Sequence, residues 1–270
     1  MTDAILIHRE GSALIAQINN SARRNAIAKE HCEALSAALA DASSDPAIRA
    51  LIITGDETAF CAGADIVAAA QAAAAAQAAG EAPNPAESTM LPQLNALVTE
   101  IQAAEIPVIA AVEGAAAGAG ASLAFACDLI VAGGESYFTL PFGKIGLIPD
   151  GGVSLTALAS VGRHRALALA LLQDKLGVAE AEAARLVAKS APRGQALAAA
   201  LQLVQRLHIA PRDALAKAKE AINRTALGQL EQQLSWEEPT QYAQMDSAGH
   251  KEGVMAFLEK RPARFNKQEL

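Results

Sequence analysis

Apolar positions along the chain fall into short runs parted by small-residue turns, and their spacing shifts between strand-like and helical. Ala4–His8 and Ala13–Ile18 are two apolar runs across Arg9-Glu10-Gly11-Ser12, a hairpin signal. A polar turn with adjacent arginines follows at 19–26. Lys29–Ala42 then carries Cys32, Leu35, Leu39 and intervening alanines at helical spacing and stops at Asp45-Pro46. Arg49–Thr54 reads as a buried strand. The small-residue turn Ala59–Asp65 leads into an alanine-rich helix, Ile66–Ala79, broken by Gly80–Pro85. A helix over about Glu87–Ala104 precedes the strand Val108–Val112, and the glycines at 114, 118 and 120 lead into a helix over Ala121–Cys127. Val153–Ser160, Arg163–Gln173, Ala179–Ala188, Gln195–Leu207 and Pro211–Thr225 read as further helices. From about Arg206 the pattern is almost wholly helical, which marks a boundary between 1–205 and 206–270.

The stretch 107–152 organises the rest. A strand that stops in glycine and restarts as a helix leaves free backbone N–H groups at the positive end of the helix dipole, a place for negative charge. The charge is either a phosphate or an oxyanion that exists only during a reaction. Several familiar motifs are excluded. Leu123 stands where G-x-G-x-x-G needs its third glycine, no Gly-Lys-Ser/Thr follows, and Ser122 lacks the G-x-S-x-G frame. None of the five histidines lies near the glycine turns in sequence. Backbone donors plus a carboxylate are therefore favoured over histidine-based nucleophilic catalysis.

Composition narrows the class. The chain has 270 residues, of which 52% are hydrophobic and only 3% aromatic, which points to a helix-rich core of small side chains. A net charge of −7 argues against a general nucleic-acid binder. Cys32, Cys61 and Cys127 are odd in number and lack metal-type spacing, so they read as buried thiols in a reducing compartment, with no metal site. Pro107–Cys127 carries a single charge, Glu113, over nearly the length of a membrane span. Alanine and glycine insert weakly, however, and a buried strand–turn–helix is the better reading. The N-terminus lacks a signal-peptide pattern, and a cytoplasmic location is expected.

Taken in order, Asn20–Ala26, Leu51–Gly55, Ala59–Asp65, Pro107–Gly114 with Gly118-Ala-Gly120, Cys127–Ile130, Gly146–Gly152 and Glu252–Arg261 resemble the crotonase (enoyl-CoA hydratase/isomerase) superfamily. The resemblance spans nearly the whole chain. It implies an α/β fold, a crotonase-like spiral of ββα units over 1–205. A helical C-terminal region over 206–270 would serve trimerisation, giving a homotrimer or a hexamer. It also implies an acyl-CoA thioester substrate, with coenzyme A as part of the substrate and no separate cofactor. The thioester enolate would be held by the backbone N–H groups of Ala64 and Ala119. Small residues permit that close approach. The resemblance places Arg24 near the coenzyme A phosphates, counts Ala26 among the residues that bind the substrate, and puts Ala62, Asp65 and Ile66 in the adenine-binding segment. Phe257 and Lys260 fall in a C-terminal motif that touches coenzyme A. Each has a plain alternative: two arginines in a loop can simply be solvated, Asp65 can order its turn, and Phe257 and Lys260 can be packing and surface residues. Glu113 reads as a strand-end carboxylate bonded to backbone.

The carboxylates bear on the reaction. Family hydratases use two glutamates, and the corresponding positions here hold Ser122 and Phe142, the latter after Pro141 in Phe138-Thr-Leu-Pro141. The usual two-glutamate addition of water is thereby put in doubt. Asp150 remains, in or near a turn where isomerases and some other members of the superfamily carry an acid. It is either the acid/base of a double-bond migration or a turn former and N-cap for the helix that follows. The expected activity is isomerisation through Asp150. The alternatives are a hydratase-like lyase with atypical groups and a non-catalytic acyl-CoA binder.

Overall fold

The computed structural model describes residues 3–80 and 89–265. The N-terminal hairpin forms as expected, from β1 (Ile5–Glu10) and β2 (Ala13–Ile18). It opens a six-stranded sheet that continues through β3 (Ala50–Thr54), β5 (Val108–Val112), β7 (Leu129–Gly133) and β10 (Lys189–Ala191), parallel from β2 onward. A second sheet of four short strands takes β4 (Ala59–Cys61), β6 (Ala115–Ala117), β8 (Tyr137–Thr139) and β9 (Lys175–Gly177) in that order. Each central strand of the large sheet is followed within a few residues by a strand of the small one. Helices then return the chain: α2 (Ile66–Ala78) and α3 (Leu91–Ala103) after β4, and α4 (Ala119–Ala126) after β6. This is the expected coil of ββα units.

Both faces of the large sheet are covered, which is why its strands are continuous apolar runs. Side chains alternate across the pleat. Ile15, Ile52, Ile109 and Val131 pack on one face against Ala199, Ala200 and Leu203 of α8 (Ala196–Arg206). Leu51, Ile53 and Val108 point the other way, toward Leu35 and Leu39 of α1 (Lys29–Ser44) and Leu94, Leu97 and Ile101 of α3. Glu113, at the end of β5, accepts a bond of 2.8 Å from the Ala196 N–H and so caps α8, as a strand-end carboxylate bonded to backbone should.

The later helices are α5 (Val153–Val161), α6 (Arg163–Leu167), α7 (Val178–Ala183), α9 (Arg212–Ala226), α10 (Leu230–Met245) and α11 (Ala248–Leu258). Three expectations need correction. The expected helix over 163–173 is α-helical only to Leu167 and closes in a π turn, 168–172, before Gln173 with φ +59°. The helix expected over 179–188 ends at Ala183, and Lys189–Ala191 joins the large sheet beside β7. The three-residue strands of the small sheet were not expected, because a run that short has no period. The start expected for α3 at Glu87 and the break at 81–85 lie outside the described residues. Among the described residues no helix is long and apolar enough to cross a membrane.

Candidate active site

Two turns meet at the centre. The loop after the hairpin is shaped by buried Asn25, in a left-handed conformation (φ +57°), whose Nδ2 donates to the Ala59 carbonyl (2.8 Å). Asn20 Nδ2 donates to the Ala26 carbonyl (2.7 Å). The loop then lies along the turn after β4. The Ala62 N–H donates to Arg24 O (3.1 Å), the Ile27 N–H to Gly63 O (2.8 Å) and the Asp65 N–H to Ile27 O (2.9 Å). These bonds skip the Ala64 N–H, which finds no protein acceptor among the described residues.

The second turn is Gly118-Ala119. Ala119 is the first residue of α4, so its N–H has no acceptor within the helix. Gly63 is what allows the turns to approach. With φ +106°, a Cβ there would sit 2.9 Å from the Ala117 carbonyl oxygen and 3.7 Å from the Ala119 nitrogen. Gly63, the residue before Ala64, thus lies against Ala119; Ala64 and Ala119 each keep an unspent N–H, that of Ala119 at the positive end of α4. Cys61 lies beneath as a small buried residue.

Asp150 is attached to the same helix. The Ser122 hydroxyl, fully buried one turn into α4, donates to the Asp150 carbonyl at 2.8 Å. Asp150 is buried, with 8% of the residue exposed. Its Oδ2 accepts from Gln241 Nε2 (2.7 Å), while Oδ1 has no partner among the described residues. Burial pushes the carboxyl up to about 7, the nearby Glu237 charge adds to this, and the Gln241 bond opposes it. The capping alternative does not hold. The cap position of α5 is Gly152, whose N–H donates to Glu237 (2.8 Å), and the Asp150 carboxyl takes none of the helix N–H groups.

The other singled-out residues separate. Asp65 Oδ1 accepts from the Ala68 N–H (2.9 Å) and from Arg23 (3.2 Å), so it orders the start of α2. Arg24 is exposed, held at φ +53°, and makes no ion pair among the described residues. Ala26 and Ala62 lie in the paired loops, with Ile66 opening α2. Phe142 is buried in a 3-10 turn, 141–145, against which α11 packs. A Cβ on Gly253 would fall 2.6 Å from Ile145 Cα. Phe257 and Lys260, at the far end of α11, face solvent. No hydrogen bond among the described residues joins their side chains to the two turns.

Sequence reading missed Gln241 and Glu237. Both are fully buried on α10, following Leu230 and Leu234 at 230, 234, 237 and 241. The signal was there: an apolar helical stripe that turns polar midway, where buried polar groups must have partners.

The structure is an α/β fold in which two adjoining turns carry unspent backbone N–H groups and the buried Asp150 is tied through Ser122 to the helix that follows the second turn. The chain belongs to the enoyl-CoA hydratase/isomerase family, whose sequence model matches residues 9–268. It is 34% identical over 265 residues to the 1,2-epoxyphenylacetyl-CoA isomerase of Escherichia coli (strain K12), covering 98% of this chain and 99% of that protein. To the 2,3-dehydroadipyl-CoA hydratase of the same organism it is 31% identical over 261 residues, covering 97% and 98%. The crystal structure of an enoyl-CoA hydratase from Mycobacterium avium subsp. paratuberculosis K-10 superposes with a TM-score of 0.85 at 32% identity, covering 98% of this chain and 99% of that one. The crotonase fold and an acyl-CoA enzyme are thereby established. The relatives include an isomerase and hydratases, so the choice of reaction falls to the residues of the site.

Proposed function

We propose that the protein is an enoyl-CoA isomerase that moves a carbon–carbon double bond along the acyl chain of a coenzyme A thioester, with Asp150 as its single proton carrier. The Ala64 and Ala119 N–H groups hold the thioester oxygen and stabilise it as it gains charge on enolisation; one such donor is worth ~2.7–4 kcal/mol. Ionised Asp150 removes a proton from one carbon, and the neutral acid returns it to a carbon two positions along. A carrier must give and take at similar ease, which a carboxyl pushed up to about 7 is suited to do. The observation that carries the reading is this one buried carboxyl with a free oxygen, tied through Ser122 to the oxyanion helix, where both glutamate positions are vacant of acid.

Hydration is the weaker reading. The Ser122 hydroxyl is engaged on the Asp150 carbonyl, Phe142 keeps its position dry, and Glu237 is occupied by Gly152 and Ser154. In this reading Arg24 and the 62–66 segment face coenzyme A, and Phe257 and Lys260 complete its site across a subunit boundary of a homotrimer or a hexamer built from two. No metal and no further cofactor take part.

The test is to supply 3-enoyl-CoA thioesters of several chain lengths and follow 2-enoyl-CoA. Asp150→Asn is expected to slow turnover by ~10²–10⁴-fold. An inert wild-type protein that still binds acyl-CoA, or a fully active Asp150→Asn, refutes the assignment.

A further inference from the structure

Gln241 reaches the candidate site from a helix that begins 80 residues after the Asp150 turn in the chain. Its amide is locked in one orientation. Oε1 accepts from the Ile148 N–H (3.0 Å), and Nε2 donates to the Ile148 carbonyl (2.9 Å) and to Asp150 Oδ2 (2.7 Å). A flipped amide would set oxygen against two acceptors and nitrogen against a donor, so the end facing Asp150 is the donor. Both N–H groups are spent, one on the backbone and one on the carboxyl.

A donor with no acceptor capacity toward Asp150 distinguishes its two oxygens. Oδ2 must accept in either protonation state, so a proton on the neutral acid belongs on Oδ1. That oxygen is buried and has no partner among the described residues. Leaving it so costs about 1–3 kcal/mol unless something in the site meets it. We propose that Gln241 is the positioning residue of the proton carrier, clamping the Asp150 turn through Ile148 and leaving Oδ1 as the oxygen that exchanges a proton with the substrate. The inference rests on the reading of Asp150 given above.

The surroundings make the clamp consequential. α4 presents Ser122 to this turn, and α3 presents Leu94, against which Gly151 packs; both are uncharged. The neighbouring Asn95 bonds Glu238 (2.9 Å). Glu237, one turn before Gln241 on α10, is the charged group whose field reaches Asp150, and it favours the protonated acid. Gln241 supplies the opposing effect, a bond that strengthens when Asp150 is ionised.

Two variants test this in the full-length protein. Gln241→Met keeps length and removes every polar contact; Gln241→Glu keeps an acceptor for the Ile148 N–H and loses the donor. The Asp150 carboxyl is titrated by carbon-13 NMR in ligand-free protein, with Asp150→Asn assigning the signal. A hydrogen bond to a charged group of ordinary strength predicts a midpoint about one to two pH units higher in Gln241→Met. The displacement should be larger in Gln241→Glu, where a second carboxyl joins the first. At neutral pH kcat on 3-enoyl-CoA is expected to fall by ~10–100-fold, with KM changed by no more than about threefold. A strut without this role would lower the melting temperature and leave the midpoint in place. An unmoved midpoint in either folded variant overturns the inference. Isomerase activity that survives Asp150→Asn would instead overturn the reading beneath it, and the NMR titration distinguishes the two.

Discussion

Asp150 should make the protein less stable at the pH where it is useful. Its carboxyl has a value of 3.8 unperturbed and about 7 in the fold, so the folded state binds the proton more tightly than the unfolded chain. Well below about pH 4 both states are protonated and the penalty vanishes. As pH rises the unfolded chain releases its proton first, and stability falls until the folded carboxyl has also ionised, above about pH 7. At ~1.36 kcal/mol per pH unit the full penalty is about 4 kcal/mol, of which roughly 2 is already present at about pH 5. Asp150→Asn cannot ionise and escapes it. Its amide can turn its oxygen to Gln241 and its NH₂ to the place of Oδ1, a fixed effect that cancels between pH values. The melting-temperature gap between variant and wild type should therefore widen by about 5 °C between about pH 5 and pH 8, at ~2 °C per kcal/mol for a domain of this size. Differential scanning calorimetry at constant ionic strength reads it directly. A gap of the same size at both pH values would refute the buried, elevated carboxyl on which the proton-carrier reading depends.

Two further predictions address the scaffold. Gly120→Ala would place a Cβ 2.3 Å from the Cys61 carbonyl oxygen and 2.6 Å from the Cys61 Cβ. It should cost about 1–3 kcal/mol and displace the Ala119 N–H, lowering turnover beyond the loss of folded protein; an unchanged melting temperature would contradict this packing. Lys219 of α9 is 2.7 Å from Asp128 and also donates to the Ile101 and Ile106 carbonyls (2.6 and 3.1 Å). Lys219→Met should cost about 3 kcal/mol in urea unfolding, with partial recovery on adding Asp128→Asn, whereas a loss under ~1 kcal/mol would show the pair to be solvent-screened.

How much was legible follows from range. The β1–β2 hairpin, α1, β3 and β5 were readable because each is long enough to show a period and is bounded by Gly, Pro or Asp. Strands of three residues such as Ala115–Ala117 were not, since their pairing to Ala59–Cys61 and Tyr137–Thr139 is set by the coil of the fold. In the site, the turns at Gly63 and Gly118 and the acid at 150 announced themselves by residue type. Gln241 did not, because its bonds to Ile148 and Asp150 span more than ninety positions and no local pattern encodes them. Only the polar residue on a buried stripe pointed there, and it named no partner.

The missing glutamates and the late-arriving Gln241 belong to one arrangement. Two carboxylates in contact titrate as a coupled pair, and neither value can be set alone. With Ser122 and Phe142 in their places, Asp150 stands apart from any acid in hydrogen-bond contact. Burial raises the carboxyl, the neutral donor on Oδ2 opposes it and the Glu237 charge adds to it, and together they leave it at about 7. Such a site cannot readily split the work of activating water and protonating carbon between two groups. In the proposed reaction it would pass one proton out and back through one oxygen, and the helix that carries Gln241 comes from the C-terminal region rather than from the two turns proposed to hold the enolate.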